Sequence, residues 1–233
     1  MRAMILAAGR GERMRPLTDH TPKPMLDAGG LPLIGWHLQA LAQAGFHEVV
    51  INHAHLGEAI ERWVGDGSRW GLSVRYSPES PALETAGGIR RALPLLGDQP
   101  FLVVNGDVFT DWPRARARLI GAQIASADLL GWCVLVANPE HHPAGDFTLE
   151  SGLLGSGDAG RLTFSGIGVY HPALFAALSG REPARLAPLL REAVANQRIG
   201  AERWDGVWTD VGTPDRLAQL DAELRSAQTR FNT

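Results

Sequence analysis

Short apolar runs alternate with amphipathic segments through the first 110 residues of the chain. The apolar runs are residues 3–8, 48–52, 72–76 and 101–104. The segments with helical spacing between them are residues 33–44, 56–64 and 85–96, and Thr85 is the expected N-cap of the last. A strand covered on both faces needs no polar alternation, so these runs are typical of buried parallel strands. The pattern therefore predicts an α/β fold: a Rossmann-like mixed, mostly parallel sheet with helices on both faces.

The pattern changes after residue 110. Glycine-punctuated extended segments over residues 146–170 predict a small β-rich lobe. The other predicted elements are an exposed helix at 114–123, a central strand at 132–136, an amphipathic helix at 186–196, a short strand at 208–211 and a terminal helix at 214–224. We expect residues 226–233 to fray. A chain of 233 residues is suited to a single core with one appended lobe.

Composition excludes several classes of protein. The net charge is −3, and a nucleic-acid-binding protein usually has a basic surplus. No apolar stretch is long enough to cross a membrane or to form a signal peptide, so we expect a cytoplasmic protein that acts on neither nucleic acids nor membranes. The single cysteine, Cys133, cannot form an internal disulfide.

The first apolar run leads into a loop that contains Gly9, Gly11 and several arginines. Glycines allow backbone N–H groups to turn toward a phosphate without interference from a Cβ atom. The loop is not the dinucleotide-binding motif, because Met14 stands in place of the third glycine. It is not a Walker A loop either, since no Gly-Lys-Ser/Thr follows. A phosphate site and an ordinary turn both remain open for this segment.

The only lysine of the chain, Lys23, is flanked by Pro22 and Pro24. Proline fixes its own φ and restricts the preceding residue, so we predict a stiff, extended backbone around this lysine. A stiff loop suits a cation that must point at one place, although a rigid surface loop would have the same sequence.

Acidic residues follow two of the predicted strands. Asp107 comes after the strand at 101–104, and Asp210 lies in the strand at 208–211. Ligands of parallel sheets bind beyond the carboxyl ends of the strands, so the Gly9 loop, residues 77–88 and residues 105–107 should be neighbours. Either aspartate could also be a simple turn residue.

Four ordered motifs, spread over more than 200 residues, together resemble the sugar-1-phosphate nucleotidyltransferase family. The motifs are residues 6–17 with 22–24, residues 84–88, residues 105–107 and residues 208–213. The resemblance implies a nucleotide-diphospho-sugar transferase fold and an enzyme that couples a nucleoside triphosphate to a sugar 1-phosphate. It also implies one domain, 1–233, in which residues 1–110 bind the nucleotide and residues 111–233 bind the sugar and complete a metal site.

The resemblance assigns roles to particular positions. It implies that Arg13 and Lys23 are catalytic, on the triphosphate and the α-phosphoryl group, and that Asp107 and Asp210 bind Mg²⁺. The residues implied in nucleotide binding are Ala7, Ala8, Gly9, Gly11, Arg13, Lys23, Gly88 and Asp107. The residues implied in sugar-phosphate binding are Glu84, Asn105, Gly145, Asp146, Gly166 and Arg185.

Local strings at 66–69, 138–142 and 145–147 resemble a group of uridylyltransferases in peptidoglycan recycling. This implies UTP and N-acetylmuramate 1-phosphate as substrates, with Arg185 expected to contact the lactyl carboxylate, in a monomer or homodimer. Two alternatives stay open. One is a guanylyl- or thymidylyltransferase that acts on mannose, heptose or glucose 1-phosphate, and the other is a catalytically silent sugar-nucleotide-binding module, although Lys23, Asp107 and Asp210 are all retained.

Overall fold

The computed structural model describes residues 1–231, which form one nine-stranded sheet, two small two-stranded sheets and six α-helices. The strands are β1 Ala3–Ala7, β2 Asp27–Ala28, β3 Leu31–Pro32, β4 Glu48–His53, β5 Ser73–Pro78, β6 Phe101–Asn105, β7 Val108–Thr110, β8 Gly131–Val136, β9 Thr148–Glu150, β10 Leu153–Gly155, β11 Thr163–Tyr170, β12 Ile199–Arg203 and β13 Trp208–Asp210. The α-helices are α1 Leu33–Gln43, α2 Gly57–Val64, α3 Glu84–Leu96, α4 Arg116–Ser126, α5 Leu186–Ala195 and α6 Pro214–Phe231.

The large sheet has the strand order β5-β4-β1-β6-β11-β8-β12-β10-β9. Strands β5, β4, β1 and β6 are mutually parallel, and β8 is parallel to β12. The two strands that run against the others are β11, between β6 and β8, and β10, between β12 and β9. This arrangement confirms the predicted mixed, mostly parallel sheet. The extended segments at 146–170 are continuous with the sheet, since β11 lies in its middle and β9 and β10 form its edge.

Helices cover both faces of the sheet, as the apolar strands predict. Side chains of β1 alternate, so that Ile5 belongs to one buried cluster and Met4 to the other. Helices α1, α2 and α4 pack on the Ile5 face, and α3 and α5 pack on the Met4 face. None of the helices within residues 1–231 combines the length and the hydropathy needed to cross a membrane.

Three local predictions were wrong. Thr85 does not cap α3, because the helix begins one residue earlier, at Glu84, and the carbonyl oxygen of Ala184 accepts hydrogen bonds from the N–H groups of Ala86 and Gly87, at 2.8 and 3.1 Å. Helix α4 is not an exposed helix, since one side of it, including Ile120 and Ile124, is buried. Helix α6 continues to Phe231, past the predicted end at 224; the last two predicted frayed residues, 232–233, lie outside the described part of the chain.

A third buried cluster joins distant parts of the chain at the carboxyl edge of the sheet. It contains Met14 from the glycine loop, Leu26 from the segment after Lys23, and Val211 and Leu220 from the C-terminal region. Strand β13 pairs antiparallel with β7, which follows β6 directly. The motif at 208–213 is therefore held beside the motif at 105–107.

Candidate active site

The glycine loop leaves β1 and turns back on itself in a short 3₁₀ helix at Glu12–Met14. Gly11 has a φ of 64°, and a Cβ atom there would lie 2.9 Å from Cγ2 of Thr18, so a side chain is not accommodated. The hydroxyl of Thr18 donates to the carbonyl oxygen of Gly11 at 2.8 Å. Met14, which replaces the third glycine of the dinucleotide motif, is fully buried and anchors the loop.

Lys23 is held in a turn rather than in the predicted extended backbone. Residues Lys23–Met25 form a 3₁₀ helix in which the N–H group of Met25 donates to the carbonyl oxygen of Pro22 at 2.7 Å. The prediction was wrong because Pro24 is accommodated within the first turn of this helix, where no N–H group is needed. The lysine side chain is only 10% exposed, and its Nζ lies 2.5 Å from Oδ2 of Asp107.

The backbone brings the two predicted metal-binding aspartates close together. Asp210 pairs with Val108 across the β7–β13 ladder, and the N–H group of Val211 donates to the carbonyl oxygen of Asp107 at 2.8 Å. The Asp210 carboxylate contacts Arg216 at 2.7 Å and His141 at 2.9 Å. Each aspartate therefore has a cationic or imidazole partner, and the two chain segments that carry them are hydrogen-bonded to each other.

Two adjacent cavities open at this edge of the sheet. The strand-end cavity, of about 390 Å³, contains the following predicted residues in its lining: Ala7, Ala8, Gly9, Lys23, Glu84, Asn105 and Asp107. The loop cavity, of about 370 Å³, contains Gly9, Gly11, Arg13, Lys23 and Asp107 from the predicted set. Lys23 and Asp107 line both cavities and so lie at their junction.

The loop cavity is suited to a polyanion. Arg10 and Arg13 are exposed in its lining, and within residues 1–231 neither forms an ion pair. Together with Lys23 they provide three cationic side chains against two acidic ones, Glu12 and Asp107. Arg10 also lines the strand-end cavity, a position that sequence reasoning did not assign.

Several predicted residues lie outside both linings. Gly166 contacts a residue within the lining, since a Cβ atom on it would lie 2.7 Å from Nδ2 of Asn105. Asp146 accepts a hydrogen bond from the N–H group of Phe164 at 2.8 Å, and Gly145 precedes it with a φ of 61°. Arg185 is 79% exposed and lies 4.0 Å from Oε1 of Glu84, which does line the strand-end cavity.

Gly88 is also outside the linings, but it reveals a network that sequence reasoning missed. A Cβ atom on Gly88 would lie 2.4 Å from Oε1 of Glu79. That oxygen accepts from Nδ2 of Asn52 at 2.7 Å, and Oδ1 of Asn52 accepts from the N–H group of Ala7 at 3.0 Å. The other Glu79 oxygen accepts from the N–H group of Leu83 at 2.7 Å. The network thus links the β1 end to the segment before α3, and Asn52 could have been noticed as a polar residue near the carboxyl end of an apolar strand.

Glu84 itself has a φ of 59°, a left-handed conformation that is rare for a residue with a side chain. Such conformations cost of the order of 1–3 kcal/mol and persist where the surrounding structure fixes them. Here the N–H group of Ala184 donates to the carbonyl oxygen of Leu83 at 2.9 Å, which ties the residue before Glu84 to the segment that carries Arg185. Glu84 and Arg185 are therefore placed as a unit at one side of the strand-end cavity.

A glycine loop, a buried lysine paired with the aspartate that follows a strand, and two adjacent cavities at the carboxyl edge of the sheet are typical of α/β proteins that bind phosphate groups. The sequence profile of the Nucleotidyl transferase family matches residues 2–149, and the chain belongs to this family.

Individual relatives agree with this membership. An N-acetylmuramate alpha-1-phosphate uridylyltransferase from Neisseria meningitidis is 54% identical over 229 residues, covering 95% of this chain and 97% of that protein. A protein of the same name from Caulobacter vibrioides is 33% identical, covering 97% of each chain. A crystal structure assigned as a glucose-1-phosphate thymidylyltransferase from Bacillus anthracis, in complex with sucrose, has a TM-score of 0.83 at 20% identity over 97% of this chain and 96% of that one. That structure shows the shared fold, and so confirms the expected nucleotide-diphospho-sugar transferase fold.

Proposed function

We propose that the chain transfers the uridylyl group of UTP to N-acetylmuramate 1-phosphate, which gives UDP-N-acetylmuramate and pyrophosphate. One observation carries the proposal: Lys23 and Asp107 are in contact and lie where the strand-end and loop cavities meet. A nucleotide with its base in the strand-end cavity and its β- and γ-phosphates in the loop cavity has its α-phosphorus at this junction. The 54% identity to a uridylyltransferase over 95% of the chain supports the choice of substrates.

The proposed reaction is an in-line displacement. An oxygen of the acceptor phosphate attacks the α-phosphorus of UTP, the bond to the α–β bridging oxygen breaks, and pyrophosphate leaves with the bonding electrons. The attacking phosphate is already ionised at neutral pH, so no general base is required. Catalysis then consists of positioning and charge stabilisation. We assign Lys23 to the α-phosphoryl oxygens and Arg13 to the departing pyrophosphate.

The residues present fit a magnesium ion. Mg²⁺ is usually bound by one or two carboxylates together with substrate phosphates, and Asp107 and Asp210 supply two. Oδ1 of Asp107 and Oδ2 of Asp210 accept no hydrogen bond from any residue between 1 and 231, so one oxygen on each is free to ligate. No group of three or more acidic, histidine or cysteine side chains suited to a metal occurs in that range, so phosphate oxygens and water would complete the coordination. When bound, the ion would reduce the repulsion between the two phosphate groups.

Recognition of the base and of the sugar is assigned to separate groups. We assign the base to backbone atoms at Ala7, Ala8 and Gly9, with Gly88 keeping the Asn52–Glu79 network close behind them. The proposed sugar contacts are Glu84, Asn105, Gly145, Asp146, Gly166 and Arg185. Arg185 would bind the lactyl carboxylate, because it is exposed beside a residue of the strand-end cavity.

We further propose that the reaction belongs to peptidoglycan recycling in the cytoplasm, because N-acetylmuramate is a sugar of peptidoglycan and UTP is the proposed donor. A panel of triphosphates and sugar 1-phosphates tests it, with Mg²⁺-dependent pyrophosphate release as the readout. We expect UTP with N-acetylmuramate 1-phosphate to give the highest kcat/KM. A higher kcat/KM with GTP or dTTP, or with glucose or mannose 1-phosphate, would favour the guanylyl- or thymidylyltransferase alternative, and an absence of turnover would favour the binding module. Whether the chain is a monomer or a homodimer stays a prediction.

A further inference from the structure

A third cavity, which we call the α1–β7 cavity, lies apart from the two cavities of the active site. It has a volume of about 180 Å³ and shares no lining residue with them. One wall is α1 and the other is β7, whose first residue, Val108, follows Asp107. The cavity therefore lies behind the turn that carries a proposed metal ligand, and none of the site residues discussed above lines it.

Arg114, in this lining, is a buried cation without a direct ion-pair partner among residues 1–231. It is 4% exposed, and the Asp111 carboxylate acts on it electrostatically without forming an ion pair. Its Nη1 donates to the carbonyl oxygens of Thr110 and Trp112, whereas Nε is buried and unpaired. Nη2 also makes no hydrogen bond to a described residue, but unlike Nε it is not fully buried. Burial lowers the Arg114 pKa to about 10, so the group stays protonated at neutral pH. An unpaired buried charge of this kind is unfavourable.

Besides the buried His37, three other polar residues of the lining can donate hydrogen bonds. Gln39 and Gln43 are exposed one turn apart on α1, and their amide groups each carry two N–H donors. The hydroxyl of Thr110 accepts from the N–H group of Trp112 at 3.1 Å, which leaves its own proton to donate. Among residues 1–231 no aspartate or glutamate lines the cavity, and Asp111, whose charge acts on Arg114, lies outside the lining. The lining thus combines one positive charge with several donors and has no acid of its own.

We propose that the α1–β7 cavity binds a phosphate-type oxyanion, held by Arg114, Thr110, Gln39 and Gln43. A tetrahedral oxyanion presents acceptor oxygens in several directions. The donors of this cavity also come from several directions, since they lie on α1, on β7 and at Arg114. Hydrogen bonds between a guanidinium group and a phosphate are stronger than those between neutral groups.

Titration of the full-length protein with inorganic phosphate, followed by calorimetry, tests the site. Gln39→Glu/Gln43→Glu replaces two exposed donors by acids that repel an anion, without disturbing the core. The matched control is Gln99→Glu/Gln123→Glu, because both of these glutamines are exposed and the change in net charge is the same. Lys23→Ala removes the lysine of the active site and reports on phosphate bound there.

We expect one phosphate site to survive in Lys23→Ala and in the matched control with an affinity within about twofold of the unchanged protein. The Gln39→Glu/Gln43→Glu variant should bind at least about tenfold more weakly, and Gln43→Lys should bind several-fold more tightly. Equal affinity in the two double variants, loss of all phosphate binding in Lys23→Ala, or no saturable binding in the unchanged protein would overturn the proposal. Acetate that competes as well as phosphate would show that the ligand class is wrong.

Discussion

The ammonium group of Lys23 lies 2.5 Å from a carboxylate oxygen of Asp107, although 84 residues separate the two in the sequence. The pair joins the turn that follows the glycine loop to the turn that follows β6. Without a substrate, each charge is balanced by the other. A bound polyphosphate would contact Lys23, and a magnesium ion would contact Asp107. We therefore infer that this ion pair keeps the site assembled until the substrates bind.

Loss of either aspartate should abolish metal-dependent turnover without unfolding the protein. We expect Asp107→Asn and Asp210→Asn each to lower kcat by about 100-fold or more, because the ion would lose a ligand. The free energy of unfolding of Asp107→Asn should fall by about 1–3 kcal/mol, because the largely buried Lys23 ammonium loses its counter-ion, and unfolding should remain cooperative. Pyrophosphate release and urea unfolding measure the two effects, with Asp128→Asn, which is 93% exposed, as the control. Cooperative unfolding lost from Asp107→Asn would make the residue structural instead.

Arg185 should control the choice of acceptor rather than the rate of the chemical step. N-acetylglucosamine 1-phosphate lacks the lactyl carboxylate that we assign to this arginine. In Arg185→Ala, kcat/KM for N-acetylmuramate 1-phosphate should fall about tenfold relative to that for N-acetylglucosamine 1-phosphate, as expected for the loss of one charge-assisted hydrogen bond. Arg181→Ala, which changes an exposed neighbour, serves as the control. An unchanged ratio of the two kcat/KM values would rule out this role.

Asn52 should be important for both stability and nucleotide binding. Asn52→Leu leaves the Ala7 N–H group without its acceptor and one oxygen of the buried Glu79 carboxylate without its donor. Each unsatisfied buried group costs about 1–3 kcal/mol, so the loss of two partners should lower the free energy of unfolding by about 2–6 kcal/mol. The KM for UTP should rise, because Ala7 begins the proposed base-binding loop. Asn196→Leu, at an exposed site, is the control. An equal free energy of unfolding and an equal KM for UTP in the two variants would contradict the role of Asn52 in holding the Ala7 end of β1.

His37 should make the folded state less stable in acid. Burial, and then the nearby charge of Arg114, lower its pKa from 6.5 to about 3. Below pH 6.5 the unfolded chain binds a proton at this residue that the folded chain does not, so stability is lost as the pH falls toward 3. At pH 5 the loss is about 2 kcal/mol. Urea unfolding measures the free energy of unfolding at pH 7.5 and at pH 5. The fall in this free energy between the two pH values should be about 2 kcal/mol smaller in His37→Leu than in the unchanged protein. An identical fall in both proteins would disprove this assignment.

The sequence predicted those parts of the site that directly follow a strand. The glycine loop comes after β1 and Asn105 ends β6, so the parallel topology alone made them neighbours. The apolar runs also predicted the strands of the sheet, because a strand that helices cover on both faces places nearly all of its side chains in the core.

Features that depend on long-range hydrogen bonds could not be predicted in this way. Glu79 gives no local signal of burial, and only the folded chain shows that Asn52 and the Leu83 N–H group satisfy its carboxylate. Likewise, β11 lies between β6 and β8, so the order of these strands in the sheet differs from their order along the chain. The cap on α3 comes from Ala184, which lies 100 residues further along the chain than the helix start at Glu84.

The most direct test of the catalytic account is the rate of pyrophosphate release from UTP and N-acetylmuramate 1-phosphate, with Mg²⁺ present, in Lys23→Ala and in Arg198→Ala, a partly exposed control whose ion pair lies outside the proposed site. We predict that Lys23→Ala lowers kcat by about 100- to 1000-fold, because one preorganised cation is lost from the developing charge, while Arg198→Ala keeps the unchanged rate. Pyrophosphate release that continues at the unchanged rate in Lys23→Ala, or that is insensitive to EDTA in the unchanged protein, would contradict the account.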